Sequence, residues 1–459
     1  MSNEAMEHID FEELVQLAID KKYRQLKEAL LELNEVDIAL FIEELGQDRS
    51  AIVFRMLPKT LSADVFAELD SEFQEHIINS ITDRELSEIV EDLFVDDAVD
   101  MLEELPANMV KRILKAAKPE TRALINKFLS YPEDSAGSIM TAEFIDLKKN
   151  MTVGEAIAHI RKIGIDKETV YAAYVTDSSR ILEGTIKLEE LLFASDSTLI
   201  GDVMNTDFVF AGTHDEKETV AMLISKYDLF ALPVVDREQR LVGIVTVDDA
   251  IDVIEDAATE DIEMMGAITP TDKPYLKTGV FETFKTRFPW LLLLMVSATF
   301  TGQIIAGFED ALSAFPILIA FIPMLMGTGG NSGGQSSVTV IRGLALDEIR
   351  MGDIFKVIWK ELCISILCGA ILAACNYIKI LLVDNLIFGN EVDLISALVV
   401  SLALLVTVVL AKIIGASLPI LAKRVGFDPA VMASPLITTI VDALSLMIYF
   451  AFAKLMLGV

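Results

Sequence analysis

The sequence predicts a multidomain membrane protein. It has an all-α acidic N-terminal domain over residues 1–132, an α/β tandem repeat over 133–246, an acidic connecting helix over 247–270 and an all-α five-helix transmembrane domain over 271–459. Three observations predict it. The 459 residues carry a net charge of −32, yet 53% of them are hydrophobic. One globular domain does not combine these properties, and along the chain they separate, with acids before about residue 270 and apolar runs after it. Second, part of the acidic half repeats at an offset of about 64 residues. Third, the apolar half divides into runs that can each span a bilayer, which takes about 20 residues.

Composition also excludes functions. An acidic surface repels nucleic acid and anionic lipid headgroups, and it suits cations. The opening MSNEAMEHIDFEELV has no basic start and no apolar run. It is not a signal peptide, so the acidic domains are expected in the cytoplasm. Cys363, Cys368 and Cys375 share one apolar segment without a CxxC pair and read as small membrane hydrophobes. His8, His76, His159 and His214 are scattered, and no His/Cys cluster for zinc or iron appears.

Residues 10–132 show helical periodicity throughout, in short amphipathic runs such as YRQLKEALLEL, ELSEIVEDL and NMVKRILKAA. Ser62, Thr82 or Asp83, and Pro106 are the expected helix starts. A compact stack of short helices, close to a small solenoid, follows. Asp96, Asp97, Asp100, Glu103 and Glu104 cluster on one or two helical faces, and for this domain alone a solvated acidic face accounts for them.

From Tyr131-Pro132 the composition shifts. SIMTAEFIDLKKNMTVGEAIAHI aligns with DVMNTDFVFAGTHDEKETVAMLI, and YAAYVTDSSRILEGTIKLEELL with ALPVVDREQRLVGIVTVDDAI. Each copy reads as a Met-containing lead, a strand, a helix, a strand, a turn, a strand and a helix. Met140 and Met204, Val235-Asp236 before a hairpin turn, the weaker Thr176-Asp177, and LVGIVTVDD at 241–249 resemble the tandem CBS domain pair. That resemblance implies a regulatory module, with an adenine nucleotide as a possible partner. The first copy departs from the pattern at Glu183-Gly184-Thr185, and no nucleotide site is claimed from the sequence.

The connecting helix VDDAIDVIEDAATEDIEMMGAI sets Asp248, Asp252, Asp256 and Glu260 at i, i+4 spacing, with Asp249, Glu255 and Asp261 beside them. Like charges at that spacing each cost about 0.2–0.5 kcal/mol. A solvated connector is the simpler reading. Its place at the entrance to the membrane domain favours an element that responds to cations, and Mg2+ suits a few carboxylates plus retained water.

Spans are expected over 288–308, 312–341, 353–387, 393–422 and 429–456. Lys277, Lys285 and Arg287 precede the first; Arg342, Arg350, Lys356 and Lys360 lie between the second and third; Lys423 and Arg424 lie between the fourth and fifth. The other two loops hold acids and no Lys or Arg. That alternation puts the N-terminus inside and the C-terminus outside a plasma membrane.

The second span, FPILIAFIPMLMGTGGNSGGQSSVTVIRGLAL, is expected to break at residues 327–335. It lacks the Gly-Lys-Ser/Thr of a phosphate cradle. Small residues also serve close helix packing. Two Gly-Gly pairs with Asn331 and Gln335 exceed that need, so a pore-lining backbone is the preferred reading. Asp442, in ITTIVDALSLMIYF, puts a carboxylate in an apolar helix. Such an acid is functional by default; the alternative is a buried acid bonded to Thr438 and Thr439. Lys412 either pairs with an acid or snorkels. Asp428 either caps the last helix or attracts cations at the inner mouth.

The acidic helical domain, the CBS pair, the acidic connecting helix and the PMLMGTGGNSGGQSSVTVIRGLA span together resemble the MgtE family of magnesium transporters and channels, over essentially the whole chain. The resemblance implies a Mg2+-selective homodimer with its pore on the two-fold axis, closed by cytosolic Mg2+. It implies Asp442 as the ion-selecting acid, with Asn331, Gly329, Gly330, Gln335 and Thr438 around the path. It implies residues 248–261 as a plug helix. It also implies Glu218, Asp228, Asp248, Asp249, Asp252, Glu260 and Asp261 as cytosolic Mg2+ ligands, with Asp96 and Asp100 as looser N-domain partners. Ala257 stands where the family often has an acid. Rival readings are a transporter of Co2+, Mn2+ or Zn2+, which the missing His and Cys ligands disfavour, and a membrane-tethered nucleotide sensor. No nucleophile–base pair supports an enzyme.

Overall fold

Short amphipathic runs form stable helices only when each buries its apolar stripe on a neighbour. The computed structural model describes residues 11–271, 275–276, 278–432 and 434–458; His8 and Lys277 lie outside these. The chain divides into two units, Met1–Ile254 and Glu255–Val459. In the first unit, ten helices precede any strand: α1 (Glu12–Ile19), α2 (Tyr23–Leu30), α3 (Glu35–Glu44), α4 (Gln47–Phe54), α5 (Lys59–Ala67), α6 (Ser71–Ser80), α7 (Asp83–Asp92), α8 (Val95–Glu104), α9 (Ala107–Ala116) and α10 (Pro119–Phe128). Helix α3 packs on α5, α5 on α7 and α7 on α9, while α4 packs on α6 and α8 on α10. This next-but-one packing is that of a solenoid.

The helix starts follow from capping chemistry. Thr82 accepts a hydrogen bond from the Glu85 backbone, and the Glu85 carboxylate accepts one from the Thr82 backbone at 2.7 Å, a full capping box. Pro106 precedes α9 as expected. Ser62 does not start a helix. It lies inside α5, whose first turn is set by Pro58, and its hydroxyl bonds back to the Lys59 carbonyl at 2.9 Å.

The repeat follows as β1 (Ile145–Leu147), α11 (Val153–Ile163), β2 (Ala172–Thr176), β3 (Leu182–Lys187), α12 (Leu188–Phe193) and α13 (Ile200–Val203), then β4 (Ala211–Gly212), α14 (Lys217–Tyr227), β5 (Ala231–Val235) and β6 (Leu241–Thr246). The two sheets share one topology. β1 runs parallel to β2 and β2 antiparallel to β3, and β4, β5 and β6 repeat this. The Asp before each hairpin turn has a local task. Asp177 accepts from the Ser179 and Ile181 amides, and Asp236 from those of Glu238 and Arg240. The lead methionines cross between copies. A Cβ at Gly243 would meet the Met140 sulfur at 2.7 Å, and one at Gly184 would meet the Met204 sulfur at 2.8 Å. Gly184 therefore survives in the divergent Glu183-Gly184-Thr185 hairpin because a methionine lies on it. One buried core joins the helical stack to the second copy, from Phe41 and Phe128 to Met140, Val220 and Val245.

Helix α15 (Val247–Met265) begins in the first unit and ends in the second. The second unit adds α16 (Val280–Gly307), α17 (Glu309–Ala314), α18 (Ile322–Ala345), α19 (Ile354–Lys379), α20 (Leu394–Val425) and α21 (Ser434–Leu457). Among the described residues, four segments are long and apolar enough to cross a membrane: Val280–Gly307, Met351–Ile387, Leu394–Val425 and Pro429–Leu457. The fifth spanning helix is α18. Its 24 residues reach ~36 Å at 1.5 Å per residue, and its glycines and serines dilute its hydropathy.

The expected break at residues 327–335 does not exist. α18 runs unbroken through it, and the irregular backbone lies earlier, in a 3-10 turn at Pro316–Phe321. The glycines stay helical because their backbone partners are inside the helix, and their missing side chains admit α20 and α21. A Cβ at Gly329 would strike Thr407, Ser445 and Val441, one at Gly330 would strike Thr438, and one at Gly333 would strike Ile437 and the Ala411 carbonyl. A Cβ at Gly415 would strike the Gly333 carbonyl oxygen. The obstruction is backbone, which no rotamer relieves. Gly415→Ala is therefore expected to cost at least the ~1–3 kcal/mol of an overpacked core. Thermal melting and size-exclusion profiles of the variant in detergent check this.

Candidate ion path and acidic cluster

On α18 the residues Gly327, Asn331, Gln335 and Thr339 recur every four positions and are all exposed, while Gly329, Gly330, Ser332 and Gly333 are buried. This is one open, small and polar stripe on an otherwise packed helix. A Cβ at Gly327 would meet nothing within 4 Å. Gly329 and Gly330, expected on the path, are buried where Thr407, Thr438, Val441 and Ser445 of the neighbouring helices pack on α18.

Thr438 sits on Gly330, and Asp442 follows it by one turn of α21 on the same side. That sets the Thr438 end of this face against α18 at Gly330. Asp442 is half-buried. The hydroxyls of Thr438 and Thr439 both donate to the Pro435 carbonyl, at 2.9 and 3.0 Å, so neither serves Asp442. Among the described residues no hydrogen bond or ion pair holds this carboxylate. Asp428 accepts from the Ala430 amide at 2.6 Å and caps the short turn Pro429–Met432, while remaining exposed. The cap therefore falls on this turn and not on α21, the last helix, which begins at Ser434. Lys412 is buried and does not snorkel. It donates to the Ser336 hydroxyl, which in turn donates to Glu361, a buried acid on α19 that the sequence reading passed over.

In the first unit, α8 and the start of α15 bring carboxylates together. Asp96 is buried, and its Oδ1 has no hydrogen-bond partner. Burial pushes its pKa well above the carboxylate range, and the charges of Asp97, Asp249, Glu168 and Glu143 add to this. Burial, then the charge of Asp249, raises Asp97 to about 7. Asp249 is raised by burial to about 6, although the Thr246 hydroxyl donates to it at 2.6 Å. Glu168 is raised by burial to about 8, with Asp97 and Asp248 next in effect. Asp100 follows one turn after Asp96 and is exposed. Glu168 had no signal in the sequence, since it lies in a loop of the first repeat copy far from α8 along the chain.

Other expected ligands stay apart. Glu218 and Asp228 sit at opposite ends of α14, both exposed, ~15 Å apart by helix rise. Asp248, Asp252, Asp256 and Glu260 form an exposed stripe on α15, opposite buried Ala250 and Val253, and Asp261 is half-buried. Among the described residues no three His, Cys, Asp or Glu side chains are close enough to hold a metal by themselves. Mg2+ needs only one or two carboxylates and keeps water in its other positions, and the unpartnered Asp96 oxygen and the crowded acids around it fit such an ion.

Residues 322–452 match the MgtE family described as divalent cation transporter, residues 33–134 the MgtE intracellular N domain, and residues 200–256 the CBS domain. The chain is 37% identical to the magnesium transporter MgtE of Thermus thermophilus, with 95% of each chain covered. It is 32% identical to the magnesium transporter MgtE of Bacillus subtilis, with 98% of each covered. A crystal structure of the soluble part of a magnesium transporter is 30% identical, covers 54% of this chain and 98% of its own, and superposes with a TM-score of 0.51.

Proposed function

The chain belongs to the MgtE family of magnesium transporters, and from that premise we propose that it is a dimeric Mg2+ pore closed by cytosolic Mg2+. It is a multi-pass membrane protein that transports Mg2+ and is not an enzyme. The observation that carries the pore is Asp442: a half-buried carboxylate in a membrane helix, with no hydrogen bond or ion pair from a described residue, one turn after the Thr438 that packs on Gly330 of the striped helix α18. A polar stripe open on one side needs a second wall. A second copy about a two-fold axis supplies one and sets two Asp442 carboxylates across the path. Two acids hold a largely hydrated ion, which favours Mg2+ over ions that shed water easily. The N-terminal domains then face the cytoplasm, the C-terminus lies outside, and Asp428 draws cations to the inner mouth.

Regulation follows from charge. At low cytosolic Mg2+ the carboxylates of Asp96, Asp97, Asp100 and Asp249, and the exposed stripe of Asp248, Asp252 and Glu260, repel one another. The connecting helices of the dimer spread and the pore opens. At high Mg2+ the ion bridges these acids, with Glu218, Asp228 and Asp261 as further ligands once two copies assemble, and holds the closed state. The two states differ in Mg2+ affinity, as any such switch requires. An adenine nucleotide at the CBS pair is a second ligand of this reading.

The test is Mg2+ flux through the purified protein in liposomes, with Mg2+ on the cytoplasmic face varied. Flux that falls steeply as that Mg2+ rises is the expected result. Flux indifferent to it removes the acidic domains from the account, and no flux under any condition removes the pore.

A further inference from the structure

The second unit buries two opposite charges that the pore reading does not use. Lys412 on α20 is 6% exposed and Glu361 on α19 is 8% exposed. They do not form a direct ion pair. Ser336 of α18 stands between them: the Lys412 Nζ donates to Ser336 Oγ at 3.4 Å, and Ser336 Oγ donates to Glu361 Oε2 at 2.6 Å. The hydroxyl has one proton and two lone pairs. Its proton goes to Glu361 and a lone pair receives Lys412, so the chain is satisfied with both end groups ionised. Three helices meet in it, and one is α18, whose open stripe carries Gln335 immediately before Ser336.

An ionised group at this depth is expensive unless compensated. Helix–helix packing here needs no such device, because the glycines already bring α18 onto α20 by backbone contact. A buried Lys beside a cation path is also the wrong sign for transport unless something cancels it. Glu361 supplies the cancelling charge, and Ser336 couples the two while fixing the rotation of α18.

We propose that Glu361, Ser336 and Lys412 form a charge-balanced relay that positions α18 and keeps the field of Lys412 off the transported cation. The proposal rests on the reading of the α18 stripe as the ion path. Removing Glu361 leaves a bare positive charge behind Gln335, which opposes a divalent cation. Removing Lys412 leaves a bare carboxylate, which a passing cation or a proton can neutralise. The relay is therefore asymmetric for transport, whereas a bridge that served only to hold helices together would lose equally from either end.

The experiment measures Mg2+ flux in liposomes, together with thermal melting of the same preparations in detergent, for the wild type, Glu361→Gln, Lys412→Met, the double variant and Asp442→Asn. Glu361→Gln is expected to lower flux by about tenfold or more. Lys412→Met should lower it by no more than about threefold, and the double variant should return to within about threefold of the wild type. Melting should show each single variant less stable than the double variant. Equal flux losses in the two single variants that follow their melting temperatures overturn the electrostatic role. Additive melting shifts without recovery in the double variant overturn the relay itself. Full flux in Asp442→Asn with the recovery intact overturns the ion path and leaves the relay standing as a coupled set.

Discussion

Asp442→Asn lowers Mg2+ flux by at least about 100-fold in liposomes, the equivalent of ~2.7 kcal/mol in the barrier, while the melting temperature of the protein stays level or rises. The two halves of this expectation come from one observation. Asp442 is a half-buried acid in a membrane helix, and no described residue bonds to it. A carboxylate kept in such surroundings for structure would have donors around it, and losing them would destabilise. Here asparagine keeps the size, removes a charge that costs free energy to hold in the membrane, and leaves no partner stranded. For the ion the change runs the other way. In the proposed dimer two charges vanish from the path, and a hydrated divalent cation loses their attraction. Lost transport with kept stability is the signature of an acid retained for function. Asp428→Asn gives the contrast. It is exposed and accepts a single backbone hydrogen bond, so its loss lowers local cation concentration and reduces flux by only a few-fold at low ionic strength. Equal effects of the two variants would move the ion-selecting level away from Asp442.

What the sequence made legible was set by interactions local along the chain. The Thr82–Glu85 capping box, the Asp177 and Asp236 turns and the exposed stripe of α15 each depend on residues within four positions of one another, and each stands where the pattern placed it. The glycines of α18 were read with the right importance and the wrong geometry. Glycine is the commonest mark of a broken helix, yet it also permits the closest helix approach. The choice between these is made by α20 and α21, through contacts such as Gly333 on Gly415 that no local window contains. Glu361 was hidden for the same reason. One acid near the start of a long apolar run looks like a boundary residue until Ser336 and Lys412 close around it. Asp96 carried a weak signal and Glu168 none. The sequence showed an acidic helix face, but the burial of that face arises only when the repeat packs against the helical stack.

That burial makes the acidic cluster sensitive to pH and Mg2+ in a linked way. Asp97 at about 7, Asp249 at about 6 and Glu168 at about 8 all lie above ordinary carboxylate values near 4. A group whose folded pKa is raised contributes stability at low pH and loses it as pH rises through the folded value. In Mg2+-free buffer, α8 and the start of α15 are therefore expected to loosen from about pH 4 and to be fully loosened by about pH 8.5, with about 1–3 kcal/mol of the loss falling above pH 6 when shared across coupled groups. Under the proposed regulation, Mg2+ is expected to reverse the loss by taking the place of the departing protons. Its stabilising effect is accordingly larger at pH 8.5, where the carboxylates are bare, than at pH 6, where protons compete for them. Hydrogen exchange of α8 peptides in the full chain, corrected for the intrinsic pH dependence of exchange, measures both effects. Asp97→Asn should flatten the pH dependence and shrink the protection by Mg2+, since it removes both a repelling charge and a ligand. Inhibition of flux by cytosolic Mg2+ should then require more Mg2+ at pH 6 than at pH 8. A Mg2+ requirement that does not move with pH would separate the gate from this cluster and place it on the exposed acids of α15.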